Sequence, residues 1–312
     1  MSEGNNWEKD VLASIATEGL KEQKLSRRWG IFFKSLTFLY LFVLLLVLAS
    51  GAQDTQRIKG EKHTALVELK GVIAPGAEAS ADNIVTGLRA AFEDKDTAGV
   101  ILRINSPGGS PVQSGYIYDE ILRLREKYPD TPLYAVVSDI CASGGYYVAA
   151  AAEKIYADQA SIVGSIGVRM DNFGFVDAMK KLGVERRTIT AGENKALLDP
   201  FAPTNPKVNE HLKGLLTSVH NQFINAVRQG RGDRLKEVDG MFSGLIWTGD
   251  QSVEIGLVDE LGSSSYVARE VIGEENIVNF SRQPDLFEKF SKQIGAQISA
   301  FVIESEMTPS LY

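Results

Sequence analysis

The sequence predicts an α/β protein made of parallel βαβ units behind one N-terminal apolar segment. Three observations carry that expectation. From residue 64 to 190, short runs of β-formers alternate with stretches of helical periodicity, the pattern of parallel units. Two strand-to-helix junctions, at 105–109 and 142–145, are rich in glycine, and such folds place ligands at the carboxyl ends of their strands. Trp29 to Ala49 is almost wholly apolar, and about 20 such residues suffice to cross a bilayer.

Residues 1–28 are polar and mixed in charge and read as a flexible or weakly helical tail, cytoplasmic in the orientation argued next. In the apolar run only Lys34 is charged, near enough to one end to snorkel. Arg27 and Arg28 precede the run and the nearest basic residue after it is Arg57, which favours an inside N-terminus. Ala49, Ser50 and Gly51 would also suit a signal-peptide cleavage site, but the leader before the apolar core is long for one. An uncleaved anchor over 29–49 is the expectation, followed by a linker over 50–63.

The main domain is expected over 64–275. It opens with a strand over Thr64 to Ile73, a helix over Ala81 to Phe92 and a strand over Gly99 to Ile104. The first glycine-rich turn then leads into a helix through Glu120 to Tyr128. Leu133 to Val137 reads as a buried strand, and the alanine-rich residues after Ser143 as a helix. A short strand at Lys154 to Ala157, a turn at Gly164 to Gly167, a helix over Asp171 to Leu182 and a strand over Arg186 to Thr190 follow. Pro206 suits a helix start and Gly230 its end, with Val208, Leu212, Leu215, Val219, Phe223 and Val227 on one face. A last strand is expected at Gly256 to Asp259, and an amphipathic helix over Leu286 to Ile303 within an extension spanning 276–312.

Composition narrows the chemistry. With 33 basic against 40 acidic residues, a net charge of −7 and no basic run, the chain is not expected to bind nucleic acid. Its single cysteine, Cys141, excludes an internal disulfide and a cysteine zinc cluster; a buried packing role suits it better than a nucleophilic one.

Ser143 is the residue of chemical interest. A hydroxyl at a strand-to-helix turn, beside glycines and unpaired helix-start amides, suits a nucleophile whose attack creates an oxyanion. Such a serine needs a base. His63, His211 and His220 are the only histidines, and none sits in a motif that would bring it to Ser143. Neither the G-x-S-x-G elbow nor the S-x-x-K spacing is present. Lysine remains, and it serves only where burial suppresses its charged form. Lys195 has apolar neighbours in Ala196, Leu197, Leu198 and Phe201, although Glu193 must point away from it. Tyr146 and Tyr147 suit either contact with apolar substrates or packing in the core.

Taken together, Ala142 to Tyr147, Asn105 to Gly109, Ile162 to Val168 and Lys195, 52 residues after Ser143, resemble the short-form signal peptide peptidase A family of membrane-anchored serine peptidases. The resemblance covers about 64–272. It implies a crotonase-like, Clp-peptidase-like βαβ superhelix, Ser143 as nucleophile, Lys195 as general base and Ser165 holding the lysine amine. Gly144 and Gly109 would donate to the oxyanion, with Gly108 an alternative to Gly109. It further implies no cofactor or metal, a ring- or dome-shaped homo-oligomer, and peptide substrates such as remnant signal peptides. The location implied is the bacterial inner membrane, spanned by Trp29 to Ala49, with the catalytic domain outside the cytoplasm. A crotonase-like acyl-CoA enzyme and a noncatalytic membrane scaffold are the alternatives.

Overall fold

A computed structural model describes residues 4–51 and 60–282. They fall into two compact units, the N-terminal helix and a globular unit that begins at Lys59. The amphipathic helix expected over Leu286 to Ile303 lies outside the described residues.

Helix α1 (Gly4–Gly51) is 48 residues long. The stretch expected as a flexible or weakly helical tail is continuous with the apolar run as one helix. Its sequence explains this: residues 8–28 lack proline and are rich in Ala, Leu, Lys and Glu, all strong helix formers. α1 is long and apolar enough to cross a bilayer.

In the globular unit, β1 (His63–Lys70), β2 (Thr97–Ser106) and β3 (Leu133–Ala142) are parallel neighbours joined through α2 (Ala81–Glu93) and α3 (Pro111–Lys127). Their side chains alternate between two buried faces. Val67, Leu69, Val100, Leu102, Leu133 and Ala135 pack in the larger core with α2 and α3. Leu66, Ile101, Tyr134 and Val136 face Val267 and Ala268 on the other side. A parallel sheet covered on both faces accounts for the nearly continuous apolar runs.

On its edge away from β2, β3 serves two partners. Tyr134–Val136 pair with β4 (Lys154–Ala157), while Ile140–Ala142 pair with β5 (Ile162–Gly164), both in parallel. Between them the register against β2 shifts, after Ile104. Helix α4 (Gly144–Ala149) leaves β3 directly. Further along come α5 (Val176–Leu182), α6 (Pro206–Arg231), β6 (Ile246–Thr248), α7 (Gly249–Glu254), β7 (Glu260–Leu261) and β8 (Ile277–Asn279). β6 is antiparallel to β5, and β8 adds to β1, so the sheet continues past residue 275.

Several elements differ from the sequence expectation. The helix expected from Glu120 starts at Pro111, because Ser110 accepts from the Gln113 amide and proline suits the first turn. Arg186 to Thr190 forms no strand. It has β-forming residues but no neighbouring strand among those described, and Ile189 is fully exposed. Arg186 instead pairs with Asp199 and lies over the Phe201 ring. The helix expected from Asp171 begins only at Val176, because Phe175 is tied to the Pro200 carbonyl and stacks on Phe201. The last strand expected, Gly256 to Asp259, is replaced by β7 at Glu260–Leu261, since Leu257 and Val258 both donate to the Ser252 carbonyl in a buried turn, and β8 follows it.

One buried carboxylate joins α2 to α3. Glu120 accepts from Arg89 and twice from Arg123. The Arg123 and Arg89 hydrogen bonds overcome burial and lower its pKa from 4.5 to about 2. A depressed carboxylate stabilises the fold above its unfolded value and loses that contribution as pH falls through the folded one. Glu120→Gln should therefore flatten the decline in stability between pH 4.5 and about 2, measured by urea unfolding at stepped pH.

Candidate active site

The end of β3 delivers Ser143 into a conformation that serine rarely adopts, with φ 51° and ψ −124°. It precedes α4 as its cap residue, yet its hydroxyl makes no capping bond. The Ser143 amide donates to Gly164 at the end of β5. Because Ala142 pairs with Gly164, Ser143 and Ser165 lie side by side where neighbouring strands end. Ser165 also has φ 51°, and its amide donates to Leu245. Among the described residues the only other non-glycine with positive φ is Leu198, three positions after Lys195. Such backbone costs of order 1–3 kcal/mol per residue and gathers at functional sites.

Glycine is required around Ser143. A Cβ on Gly144 would stand 2.5 Å from the buried Ser114 Oγ, and one on Gly109 would stand 2.1 Å from the Ile73 carbonyl oxygen. The same position on Gly144 is 3.2 Å from the Gly109 nitrogen, so these two backbones meet beside Ser143. Neither the Gly109 nor the Gly144 amide has an acceptor among the described residues. The Gly108 amide, by contrast, donates to Ser106 Oγ at 3.1 Å. Of these two glycines, which the sequence leaves open as alternatives, only Gly109 has an amide without an acceptor among the described residues.

Other candidates take structural places. Cys141 is fully buried in the core, and burial raises its thiol pKa, which keeps it neutral. Tyr146 is buried and donates to Leu257, while Tyr147 packs against Phe223 and Tyr118. Both belong to the core rather than to an open binding face. His63 stacks on Phe280, His211 is exposed, and the His220 ring bonds the Ile166 carbonyl next to Ser165.

Lys195 is exposed on a turn, and its amine makes no hydrogen bond or ion pair among the described residues. The apolar neighbours expected to desolvate it, Leu197 and Leu198, are themselves exposed, as are Met170, Phe173 and Phe175. One chain thus brings Ser143, Ser165, Gly109 and Gly144 together and leaves Lys195 in solvent. Ser106, which the sequence reading did not single out, lies fully buried behind Gly108. Its signal was a small polar residue at the very end of β2, immediately before Pro107, Gly108 and Gly109.

A serine of positive φ thus ends a parallel strand of an α/β fold, beside two glycine amides that have no acceptor among the described residues. Residues 125–277 match peptidase family S49. The chain is 33% identical over 202 residues to a putative protease, slr0021, of Synechocystis, covering 65% of this chain and 70% of that one. It is also 33% identical over 225 residues to a putative signal peptide peptidase SppA of Enterococcus faecium, covering 70% and 63%. The chain belongs to peptidase family S49. A protein of Brucella abortus named Na(+)/H(+) antiporter NhaA is 45% identical over 188 residues, or 60% of this chain and 25% of that protein. The chain thus spans a quarter of that relative's length and under two thirds of the Enterococcus one.

Proposed function

We propose that this chain is a membrane-anchored serine endopeptidase that cleaves remnant signal peptides and other unfolded segments. The observation carrying the proposal is Ser143, strained, its hydroxyl free of any capping bond, beside the two unpaired amides of Gly109 and Gly144. In this reading a neutral Lys195 amine takes the Ser143 proton as Oγ attacks the scissile carbonyl. The two amides stabilise the oxygen anion that forms. Collapse expels the amine fragment, which receives the proton from Lys195, and water then hydrolyses the acyl-enzyme by the reverse relay. Ser165, next to Ser143 on the neighbouring strand end, holds the lysine amine.

A neutral lysine needs shelter from water, and the exposed apolar side chains around 170–198 supply the surface for a covering subunit. The active form is therefore a homo-oligomer, a ring or dome, in which the dyad can close between copies. Helix α1 spans the bacterial inner membrane with Arg27 and Arg28 on the cytoplasmic side. The catalytic domain then faces the other side, where translocated peptides are left.

Lys195→Ala is expected to reduce hydrolysis of an unfolded peptide to background while circular dichroism stays that of the parent. Mixing Lys195→Ala with Ser143→Ala chains should restore a fraction of the activity if the dyad closes between subunits. Wild-type turnover in Lys195→Ala would overturn its role as the base. A fluorophosphonate that labels the parent protein but not Ser143→Ala would separate the peptidase reading from a noncatalytic scaffold.

A further inference from the structure

Ser106 ends β2 and is completely buried. Its hydroxyl donates to the Gly71 carbonyl at 2.7 Å and accepts from the Gly108 amide at 3.1 Å. Those two contacts brace a short bridge. The Ile73 amide donates to Gly108 at 2.9 Å, and the Ser110 amide donates to Ile73 at 2.8 Å. The bridge uses the carbonyl of 108 and the amide of 110, so in extended chain the amide of the residue between them faces the opposite side. That amide belongs to Gly109, whose nitrogen is 3.2 Å from where a Cβ on Gly144 would stand.

We infer that Ser106 is a positioning residue for the oxyanion site: its hydroxyl engages the Gly108 amide and fixes Gly71, so that Gly109 presents the donor. The inference rests on the reading of Ser143 as nucleophile. Gly108 and Gly109 have φ of 97° and 154°, a range open to glycine with little penalty, so nothing intrinsic holds the peptides between them. Without the hydroxyl, the Gly108 amide is left buried and unpaired, which is costly enough to drive the peptide to rotate toward another acceptor. The Gly108–Gly109 peptide is joined to the rotating one at the Gly108 Cα and follows it, which displaces the Gly109 donor from its place beside Gly144.

The test compares a trileucine aldehyde, whose carbonyl carbon adds Ser143 Oγ to give a hemiacetal with its oxygen in the oxyanion position, with the matching alcohol, which forms no covalent adduct. In Ser106→Ala the aldehyde should bind about 10- to 100-fold more weakly while the alcohol binds as before. Peptide kcat should fall by a similar factor at constant KM, a partial form of the loss seen when an oxyanion donor is deleted. Aldehyde affinity and kcat within twofold of the parent would overturn the inference, as would equal weakening of aldehyde and alcohol. Should Ser106→Ala not fold, Ser106→Cys keeps the shape, weakens both hydrogen bonds and carries the same two outcomes. Hydrolysis surviving in Ser143→Ala would instead overturn the peptidase reading. Hydrolysis lost there and untouched in Ser106→Ala overturns only the role of Ser106.

Discussion

Ser143→Ala is expected to lower peptide hydrolysis by about 10⁴-fold or more, the scale on which deletion of a nucleophile removes covalent catalysis. The measurement is kcat on an unfolded peptide, with the elution volume of the assembly as a control for folding. Turnover within tenfold of the parent would remove Ser143 from the mechanism. The backbone at this position makes a second variant informative. Serine is held at φ 51°, where glycine is unstrained, so Ser143→Gly should be equally inactive yet more stable by about 1 kcal/mol. A catalytic residue kept at a cost to the fold would show that combination, whereas a merely structural serine would lose stability on replacement.

Arg231→Ala is expected to destabilise the globular unit by about 3–5 kcal/mol, because it leaves a buried carboxylate without its main partner. Arg231 ends α6 fully buried and holds both Asp259 oxygens at 2.8 and 2.9 Å, with Nε donating to Gly256. Asp259 also accepts from the Ile155 amide in β4 and from Arg234. Burial alone would raise the Asp259 pKa, but the Arg231 hydrogen bond and charge more than offset it, and the net shift is downward. Urea unfolding checks the expectation. The double variant Arg231→Met, Asp259→Leu should recover much of the loss, since removing both charges leaves neither stranded. A double variant as unstable as the single one would assign the effect to packing instead of charge.

Legibility in the sequence followed the range of the interaction that decides each feature. The strands around Leu66, Ile101 and Val136 and the two glycine-rich junctions were legible because local composition dictates them: apolar runs for a sheet buried on both faces, glycine where side chains cannot fit. Arg186 to Thr190 has the composition of a strand, but a strand requires a partner strand, and none among the described residues pairs with it. β6 and β8 are three residues each and exist because β5 and β1 offer free edges, which no short window of sequence reveals. The free amide of Gly109 became distinguishable from that of Gly108 only through the Ser106 hydroxyl, a contact set by tertiary packing. Mixed charge over 4–28 suggests looseness, yet Ala, Leu, Lys and Glu favour helix irrespective of charge, and the segment is helical.

The hydrogen bonds that hold the two serines also fix when they can be held. Ser143 needs the Gly164 carbonyl and Ser165 needs that of Leu245, which lies 245 − 143 = 102 positions beyond Ser143 in the chain. A ribosome making this protein from its N-terminus has long finished β3 before it supplies the last of those acceptors. The backbone that holds the two serines is thus completed only once residue 245 has emerged, a delay written into strand order.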